Sequence, residues 1–405
     1  MQKVNRKITK VFMIMILVGW IPIHLNAEES NDSLKAEHHV TKQSNLEKFT
    51  IPKSFARFTF QSGLQFTYPD AVRGIYVTGP SAGGSKMGSL LQLIEKTDLN
   101  AMVIDVKEDH GNLTFKVDEN SPYADISLNY IKDARKLLEK LEEKNIYPIA
   151  RVVVFKDSEL ANKRPDLSFT ENGEVWANSR NESFVSPFKK EVWEYNVEIA
   201  KMAAELGFQE IQFDYVRFPE GFEKRDKELT YDLGDYKDSE LGDVKRRVDA
   251  VTDFVAYAKD ELAHYDVDVS VDIFGYAATI EEAPGIGQNF SKISSNVDVI
   301  SSMIYPSHWT SYFGIDFPDK EPYRLVTEYA KVENEVLGNL DSKPVSRPWI
   351  QDFEAPWLYS GNTFQYGKSE VEAQIKALNE NGIKEFLIWN AGNTYTEGVD
   401  YTPLD

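Results

Sequence analysis

The chain has 405 residues, enough for one large domain or two smaller ones, and 42% of them are hydrophobic, which suffices for a sizeable core. Its net charge of −20 argues against nucleic acid as a partner, because phosphates need Lys and Arg. The absence of cysteine excludes disulfides, thiolate nucleophiles and cysteine-ligated zinc.

The N-terminus has the pattern of an export signal. A basic start is followed by the apolar stretch Val11–Ile23 and by Leu25-Asn26-Ala27, a plausible cleavage site. We predict a signal peptide over residues 1–27 and therefore a secreted or envelope-associated protein. The alternative is an uncleaved membrane anchor, although the apolar stretch is short for a span. The polar residues 28–50 indicate a flexible spacer before a domain over residues 51–405.

Eight apolar, β-branched runs then recur along residues 73–390, and helix-like segments separate most of them. Strands that alternate with helices predict a parallel sheet buried on both faces, and eight such units fit an α/β fold, the (β/α)8 TIM barrel. The active site of such a barrel lies at the carboxyl ends of its strands. The predicted strands are 74–77, 102–106, 148–154, 210–214, 269–274, 297–304, 345–350 and 385–389.

The segments between these strands predict helices and two long loops. Loops of this length tend to build substrate-binding walls. The loop 155–188 carries Trp176, which could either stack on a sugar or merely cover the loop. The loop 219–239 overlaps the acidic stretch Asp226–Asp243. That stretch could bind Ca²⁺, but no D-x-[DN]-x-[DN]-G pattern supports such a site, and we favour a solvated segment that leads into the next helix. The predicted helices are 85–96, 128–145, 189–206, 239–264, 323–337 and 369–381.

The fourth strand gives the strongest candidate for a catalytic group. Side chains alternate along a strand, so Gln212 and Asp214 share one face, and Arg217 follows three residues later. A carboxylate that ends an apolar strand has no structural duty there, and burying it unpaired is costly. We favour a functional role for Asp214 over a structural ion pair with Arg217.

Polar and aromatic residues end other strands as well. One such residue could be an ion pair or a helix cap, but carboxylates and aromatic residues at five strand ends of one barrel indicate a common site. The candidates are Asp105 and Lys107 (second strand), Asp272 (fifth), Tyr305, His308 and Trp309 (sixth), Gln351 and Asp352 (seventh), and Trp389 and Asn390 (eighth).

This set of residues suits cleavage of a glycosidic bond. That reaction needs one ionised carboxylate, one protonated carboxyl, aromatic platforms and polar groups for hydroxyls. A metal hydrolase would need several His at strand ends, whereas only His110 and His308 lie there, and a serine nucleophile would need a G-x-S-x-G elbow, which is absent. Lys107 as a Schiff-base lysine stays open, although its acidic neighbours favour its inert, charged form. We predict neither a metal nor a cofactor.

Several motifs resemble a glycosyl hydrolase family of bacterial exported proteins, a barrel distantly similar to the α-amylase-like glycosidases. The resemblance covers about residues 70–400 and rests on five motifs. They are Arg73-Gly74-Ile75-Tyr76-Val77-Thr78, Val103-Ile104-Asp105-Val106-Lys107, Phe213-Asp214-Tyr215-Val216-Arg217-Phe218-Pro219, Met303-Ile304-Tyr305-Pro306-Ser307-His308-Trp309 and Pro348-Trp349-Ile350-Gln351-Asp352-Phe353.

The resemblance to the amylase-like barrels implies a nucleophile at Asp214, a proton donor at Asp272 and a stabilising carboxylate at Asp352. The chain departs from that pattern by having Gln212 where an arginine is usual and Asp272 in place of glutamate. The acid could therefore be another carboxyl group instead, and a plan with the acid on strand four and the nucleophile on strand seven stays open. The alternative acids are Glu220, Glu281 and Glu354.

We therefore expect an exported glycoside hydrolase that acts on an envelope or environmental polysaccharide or oligosaccharide. Arg217 and Asp105 would orient the catalytic groups, while Tyr305, Trp309 and Trp389 would form sugar platforms. The alternatives are a non-catalytic barrel that binds glycan or a partner in the envelope and, less favoured, a transglycosylase. Membrane attachment would follow only if the signal segment stayed uncleaved.

Overall fold

The computed structural model describes residues 59–237, 240, 242–359 and 364–402, which form a closed barrel of eight parallel strands with helices outside it. Each strand pairs with the next, and the last pairs with the first through Arg73↔Phe386 and Ile75↔Ile388. The predicted (β/α)8 TIM barrel is thereby confirmed. The strands are β1 Arg73–Val77, β2 Ala101–Lys107, β3 Tyr147–Val153, β4 Glu210–Asp214, β5 Asp268–Phe274, β6 Val299–Met303, β7 Trp349–Gln351 and β8 Phe386–Trp389.

Seven helices connect successive strands within the described ranges. The predicted signal peptide (1–27) and spacer (28–50) lie outside these ranges and remain predictions. In the same described part, no helix has both the length and the apolar character of a membrane span. The connecting helices are α1 Lys86–Glu95, α2 Ala134–Glu143, α3 Lys190–Leu206, α4 Asp243–Leu262, α5 Phe290–Ser294, α6 Pro322–Gly338 and α7 Lys368–Glu380, and shorter helices at Gly79–Gly83, Ser158–Lys163 and Phe222–Arg225 lie in loops.

Two predicted elements differ from the structure. The helix predicted over 128–145 begins only after Asp133, whose side chain accepts a hydrogen bond from the Lys136 N–H, because Ser127–Ile131 is a strand. The seventh strand predicted over 345–350 is interrupted before Trp349, since Pro348 has no N–H to donate to a ladder. Helix α5 was not predicted because five residues are too few to show helical periodicity.

Strand β4 shows how the barrel interior is filled. Its alternate residues Glu210, Gln212 and Asp214 are all buried, at successive levels from the amino to the carboxyl end of the strand. At the amino end, Arg347 donates hydrogen bonds to both Glu210 oxygens at 2.8 Å and to Glu385 at 2.7 Å. This ion-pair network fills the barrel interior at the amino ends of the strands, whereas Asp214 lies at the carboxyl end.

We expect Arg347→Met to lower the free energy of unfolding by about 3–5 kcal/mol, because it leaves the fully buried Glu210 carboxylate without its cation. Urea unfolding followed by circular dichroism measures the change. Arg164→Ala is the matched control, since the Arg164–Asp166 pair is exposed and its loss should leave the midpoint unchanged. An unchanged midpoint for Arg347→Met would show that the network is dispensable.

Candidate active site

A cavity of about 660 Å³ opens at the carboxyl ends of the strands. Its walls come from the ends of β3 to β8 and from the loops that follow β2 to β6. A cavity of this size is typical of small-ligand and sugar sites. The charged residues that line it are Asp109, Arg151, Arg180, Asp214, Arg217, Glu220 and Asp272, and the aromatic ones are Tyr215, Phe274, Tyr276, Tyr305, His308, Trp309, Tyr312, Trp349 and Trp389.

Asp214 lies at the floor of this cavity and is held by Arg151 of the neighbouring strand β3. The guanidinium donates two hydrogen bonds to Oδ2 of Asp214, from Nε at 2.9 Å and from Nη2 at 2.7 Å. Both side chains are almost fully buried. A two-pronged contact of this kind fixes the orientation of the carboxylate and matches its ionised form.

Arg151 also joins two further carboxylates to the site. It donates to Asp105 Oδ1 at 2.8 Å and to Asp109 Oδ1 at 2.8 Å, and Tyr76 donates to the other oxygen of Asp105 at 2.6 Å. Burial raises the pKa of Asp105 to about 6 despite these partners. Burial also disfavours the charge of Asp109, but Arg151 and Lys156 together hold the pKa of that group below its ordinary value.

Asp272 faces the same cavity in a different environment. It projects from β5 and is 2% exposed, and its Oδ1 accepts a hydrogen bond from Trp349 Nε1–H at 2.7 Å. Burial, and then the negative charge of Asp214, raise the pKa of Asp272 well above its usual range. The site therefore contains two carboxyl groups in different environments. Asp214 forms an ion pair with the Arg151 guanidinium, and the surroundings of Asp272 favour its protonated form.

The turn after β4 carries a strained residue that shapes the wall. Tyr215 has φ of 53°, in the left-handed region that is unfavourable for a non-glycine residue. The Arg217 guanidinium lies between the rings of Tyr215 and Phe274, 4.0 and 4.3 Å from their centroids. Such strain persists where the surrounding structure demands it and often marks functional positions.

Aromatic residues on and after strands β6 to β8 form another part of the cavity wall. The Tyr76 and Trp389 rings stack at 4.1 Å with 19° between their planes, and Trp349 packs edge-on against Trp389 at 5.6 Å. Tyr305 lies 6.4 Å from Trp389. Trp349, Tyr305 and Trp389 line the cavity, whereas Tyr76 is buried and does not line it. Aromatic rings beside charged groups suit a ligand with both an apolar face and a polar edge.

The structure brings seven of the predicted site residues together around the cavity. They are Asp214, Asp272, Arg217, Tyr305, His308, Trp309 and Trp389. An eighth, Asp105, lies behind Arg151 and contacts it directly. Of the alternative acids, Glu220 lines the cavity, whereas Glu281 and Glu354 do not.

The prediction for Lys107 is corrected. Its ammonium forms a buried ion pair with Asp157 at 2.6 Å and donates to Asn196 on α3, between the barrel and the helices. A bulge in β2 causes this, because the pairing register shifts between Asp105 and Lys107. Lys107 therefore pairs with Val152 and faces away from the cavity that Asp105 and Arg151 border.

Asp352 is also corrected. Thr396 donates from its N–H at 2.8 Å and from its hydroxyl at 2.5 Å to the two carboxylate oxygens, which turns them toward the segment after β8. The carboxyl is buried, and burial raises its pKa. It does not line the cavity, so the role that the amylase-like resemblance implies for it has no support here.

The remaining predicted residues lie near the cavity but do not line it. Gln212 lies one level below Asp214 and donates to Ser301 at 3.3 Å. Gln351 accepts from the Ser307 N–H at 3.0 Å and so holds the loop after β6. The side-chain amide of Asn390 forms hydrogen bonds with backbone groups: it donates to the Asp352 carbonyl at 2.6 Å and accepts from the Gly392 N–H at 2.9 Å.

Trp176 covers its loop and is not a sugar platform. The sequence left both interpretations open. It is 9% exposed and packs beside Phe184 at 6.3 Å, with Arg225 over its ring at 5.6 Å. It therefore belongs to the core beneath the long loop and offers no platform to a ligand in the cavity.

Sequence reasoning missed Arg151, the group that contacts three aspartates at the site. The signal was present, since Arg151 is the only charged residue in the apolar run 148–154. Trp349 was also missed as a contact of Asp272, because that contact joins strands that are not neighbours. Asp109 gave a weaker signal, as one of several acidic residues after β2.

The fold is a (β/α)8 barrel whose cavity lies at the carboxyl ends of the strands, where enzymes of this fold hold their active sites. Over residues 74–395 the chain matches the family described as "Putative glycosyl hydrolase domain" and belongs to it. The resemblance found in the sequence motifs is thereby confirmed. A comparison with curated proteins gives no significant match.

Solved structures resemble the chain mainly in fold. A hypothetical protein from Ruminiclostridium thermocellum is 31% identical, with 49% of this chain and 96% of that one covered and a TM-score of 0.42. The PgaB (BpsB) glycoside hydrolase domain from Bordetella bronchiseptica is 16% identical, with coverage of 79% and 94% and a TM-score of 0.54. A β-galactosidase from the psychrophilic Marinomonas ef1 is 12% identical, with coverage of 79% and 54% and a TM-score of 0.53.

Proposed function

We propose that the protein is an exported glycoside hydrolase that cleaves a polysaccharide of the cell envelope or the environment with Asp214 and Asp272. The observation that carries the proposal is that both carboxyl groups line one cavity in unequal environments. Asp214 meets the Arg151 guanidinium, whereas burial and the negative charge of Asp214 raise the pKa of Asp272 and so favour its protonated form. Acid-assisted glycosidic cleavage requires one carboxyl group that is ionised and one that can donate a proton.

In this mechanism Asp272 donates its proton to the oxygen of the leaving sugar as the glycosidic bond breaks. Asp214 acts in one of two ways: it attacks the anomeric carbon to form a glycosyl ester, which water then hydrolyses with the Asp272 carboxylate as base, or it takes the proton of a water molecule that attacks that carbon directly. Arg151 is a positioning residue, since it holds Asp214 and contacts Asp105 and Asp109. The rings of Trp389, Tyr305 and Trp309, which line the cavity, offer the sugar an apolar surface.

The unequal environments also favour catalysis over the alternative of a barrel that only binds glycan. Sugar binding needs rings and hydrogen-bond donors but gains nothing from a buried, protonated carboxyl beside a charged one, which costs stability. Placing Asp272 next to Asp214 is therefore explained by a proton-transfer role. The PgaB neighbour is itself described as a glycoside hydrolase domain, although its 16% identity supports the fold alone.

Product analysis in heavy-oxygen water tests hydrolysis directly. The full-length chain is incubated with a panel of bacterial and plant polysaccharides, and the products are examined by mass spectrometry. Hydrolysis places one heavy oxygen at each new reducing end. Products without the label would identify a transglycosylase, and unchanged polysaccharides that still bind the protein would identify a binding barrel.

The state of Asp272 sets the pH dependence of the reaction. Because the acid must be protonated and its pKa is raised, we expect kcat/KM to be maintained at neutral pH and to fall as the pH rises through that raised pKa. Asp272→Asn should remove this alkaline limb, since an amide does not titrate. A limb that keeps its position in Asp272→Asn would assign the titration to another group.

A further inference from the structure

The two most exposed large hydrophobic side chains among the described residues lie beside the cavity mouth, on the loops that follow β6 and β7. Trp357 is 60% exposed and Phe317 is 56% exposed. Phe353 and Tyr359 belong to the same loop as Trp357, and we call these four residues together the aromatic ledge. Single exposed apolar residues are ordinary on a protein surface, but several rings grouped beside a cavity indicate a binding surface.

The aromatic ledge is continuous with the cavity. His308, which lines the cavity, lies edge-on to Phe353 and to Trp357, in each case with 6.1 Å between ring centroids. Phe353 in turn lies 5.9 Å from Tyr305, another cavity residue, and stacks on Trp357 at 6.3 Å with 29° between planes. A series of ring contacts therefore connects the cavity residues Tyr305 and His308 with the exposed Trp357.

The outer part of the ledge combines apolar and polar groups. Phe317 and Tyr359 lie 6.4 Å apart, and the Lys320 ammonium is placed 4.3 Å from the Tyr359 centroid and 5.2 Å from that of Phe317. Glu354 is exposed beside Phe353. Sugar rings have an apolar face of C–H groups and a rim of hydroxyls, so rings for stacking with charged groups at their edge suit a glycan.

We propose that the aromatic ledge binds the continuation of a glycan chain whose cleaved bond lies in the cavity. This proposal rests on the proposed function and extends it. A ligand that contacts both the cavity and the aromatic ledge outside it must be longer than a small glycoside. A protein partner is disfavoured, since four rings are far fewer than the roughly 20–30 residues a side that a stable protein interface needs.

Glycan binding by the full-length Asp214→Asn variant, which should bind without turnover, provides the test. Native electrophoresis in gels that contain cellulose-, mannan-, amylose-, chitosan- or pectin-derived polymers identifies the polymer that retards it. Calorimetry then compares a disaccharide with a hexasaccharide of that polymer. Adding Trp357→Ala should weaken hexasaccharide binding roughly tenfold and leave disaccharide binding unchanged.

Phe60→Ala is the matched control. Phe60 is 39% exposed, but its N–H donates to His264 between α4 and β5, at the opposite end of the barrel. Equal hexasaccharide affinity with and without Trp357→Ala, or no retardation on any polymer, would overturn the ledge proposal. The two proposals fail in distinguishable ways. Labelled hydrolysis products with an unaffected Trp357→Ala variant would overturn the ledge proposal alone. Ledge-dependent binding without hydrolysis would overturn the enzymatic assignment and leave the ledge as a glycan-binding surface without a cleaved bond.

Discussion

Asp214→Asn is expected to lower the rate of glycosidic cleavage by roughly 10⁴-fold or more, whatever the leaving group. The asparagine keeps the size of the side chain but lacks the negative charge that must meet the developing positive charge on the sugar. It also meets the Arg151 guanidinium with an amide, which cannot form the same charged pair. The initial rates of the wild type and the variant, on a polymer and on an activated aryl glycoside, give this factor.

Asp319→Asn controls for the loss of a buried carboxylate as such. Asp319 is 2% exposed and accepts from Gln351 at 3.3 Å, yet it does not line the cavity. We expect this variant to retain most of the activity. Comparable losses in Asp319→Asn and Asp214→Asn, with both variants folded, would mean that Asp214 acts through structure rather than in the reaction.

Asp272→Asn is expected to lower the rate on natural glycosides by about 10²–10⁴-fold, the usual contribution of a general acid. Its effect should depend on the leaving group, since an aryl group that departs as a stable anion needs no proton. The loss on an activated aryl glycoside should therefore be much smaller than on a polymer of the same sugar. This pattern separates the role of Asp272 from that of Asp214.

The variant Glu220→Gln tests whether Glu220, rather than Asp272, is the proton donor. Glu220 lines the cavity, but its side chain is 61% exposed and its nearest contact to Arg217 is 3.7 Å. If Glu220→Gln, rather than Asp272→Asn, showed the loss that depends on the leaving group, the proton donor would be Glu220. An equal loss from Asp272→Asn on both kinds of substrate would also remove it as the acid.

The barrel and the two central carboxyl groups could be predicted because they follow from short-range rules. Strand alternation and the location of barrel active sites were sufficient to single out Asp214 and Asp272. Lys107 shows where those rules fail, since one bulge in β2 sends its side chain to the other face. Such a bulge leaves no clear trace in an apolar, β-branched run.

Side-chain contacts between residues that lie far apart in the sequence could not be predicted from the chain order. Arg151 meets Asp105, Asp109 and Asp214 from two neighbouring strands and a loop, and Trp349 reaches Asp272 across the barrel. Asp352 is drawn away from the site by Thr396, 44 residues later in the chain. Those partners depend on the closure of the barrel and on the segment after β8, which no local pattern encodes.

The most direct test of the central claim is reducing-end release from the polysaccharide panel by the full-length wild type beside the Asp214→Asn/Asp272→Asn double variant. We predict that the wild type releases reducing ends from at least one polymer and that the double variant, although folded and still able to bind that polymer, releases none. Equal release by both proteins, or binding without release by the wild type, would contradict the assignment of these two carboxyl groups as the catalytic pair.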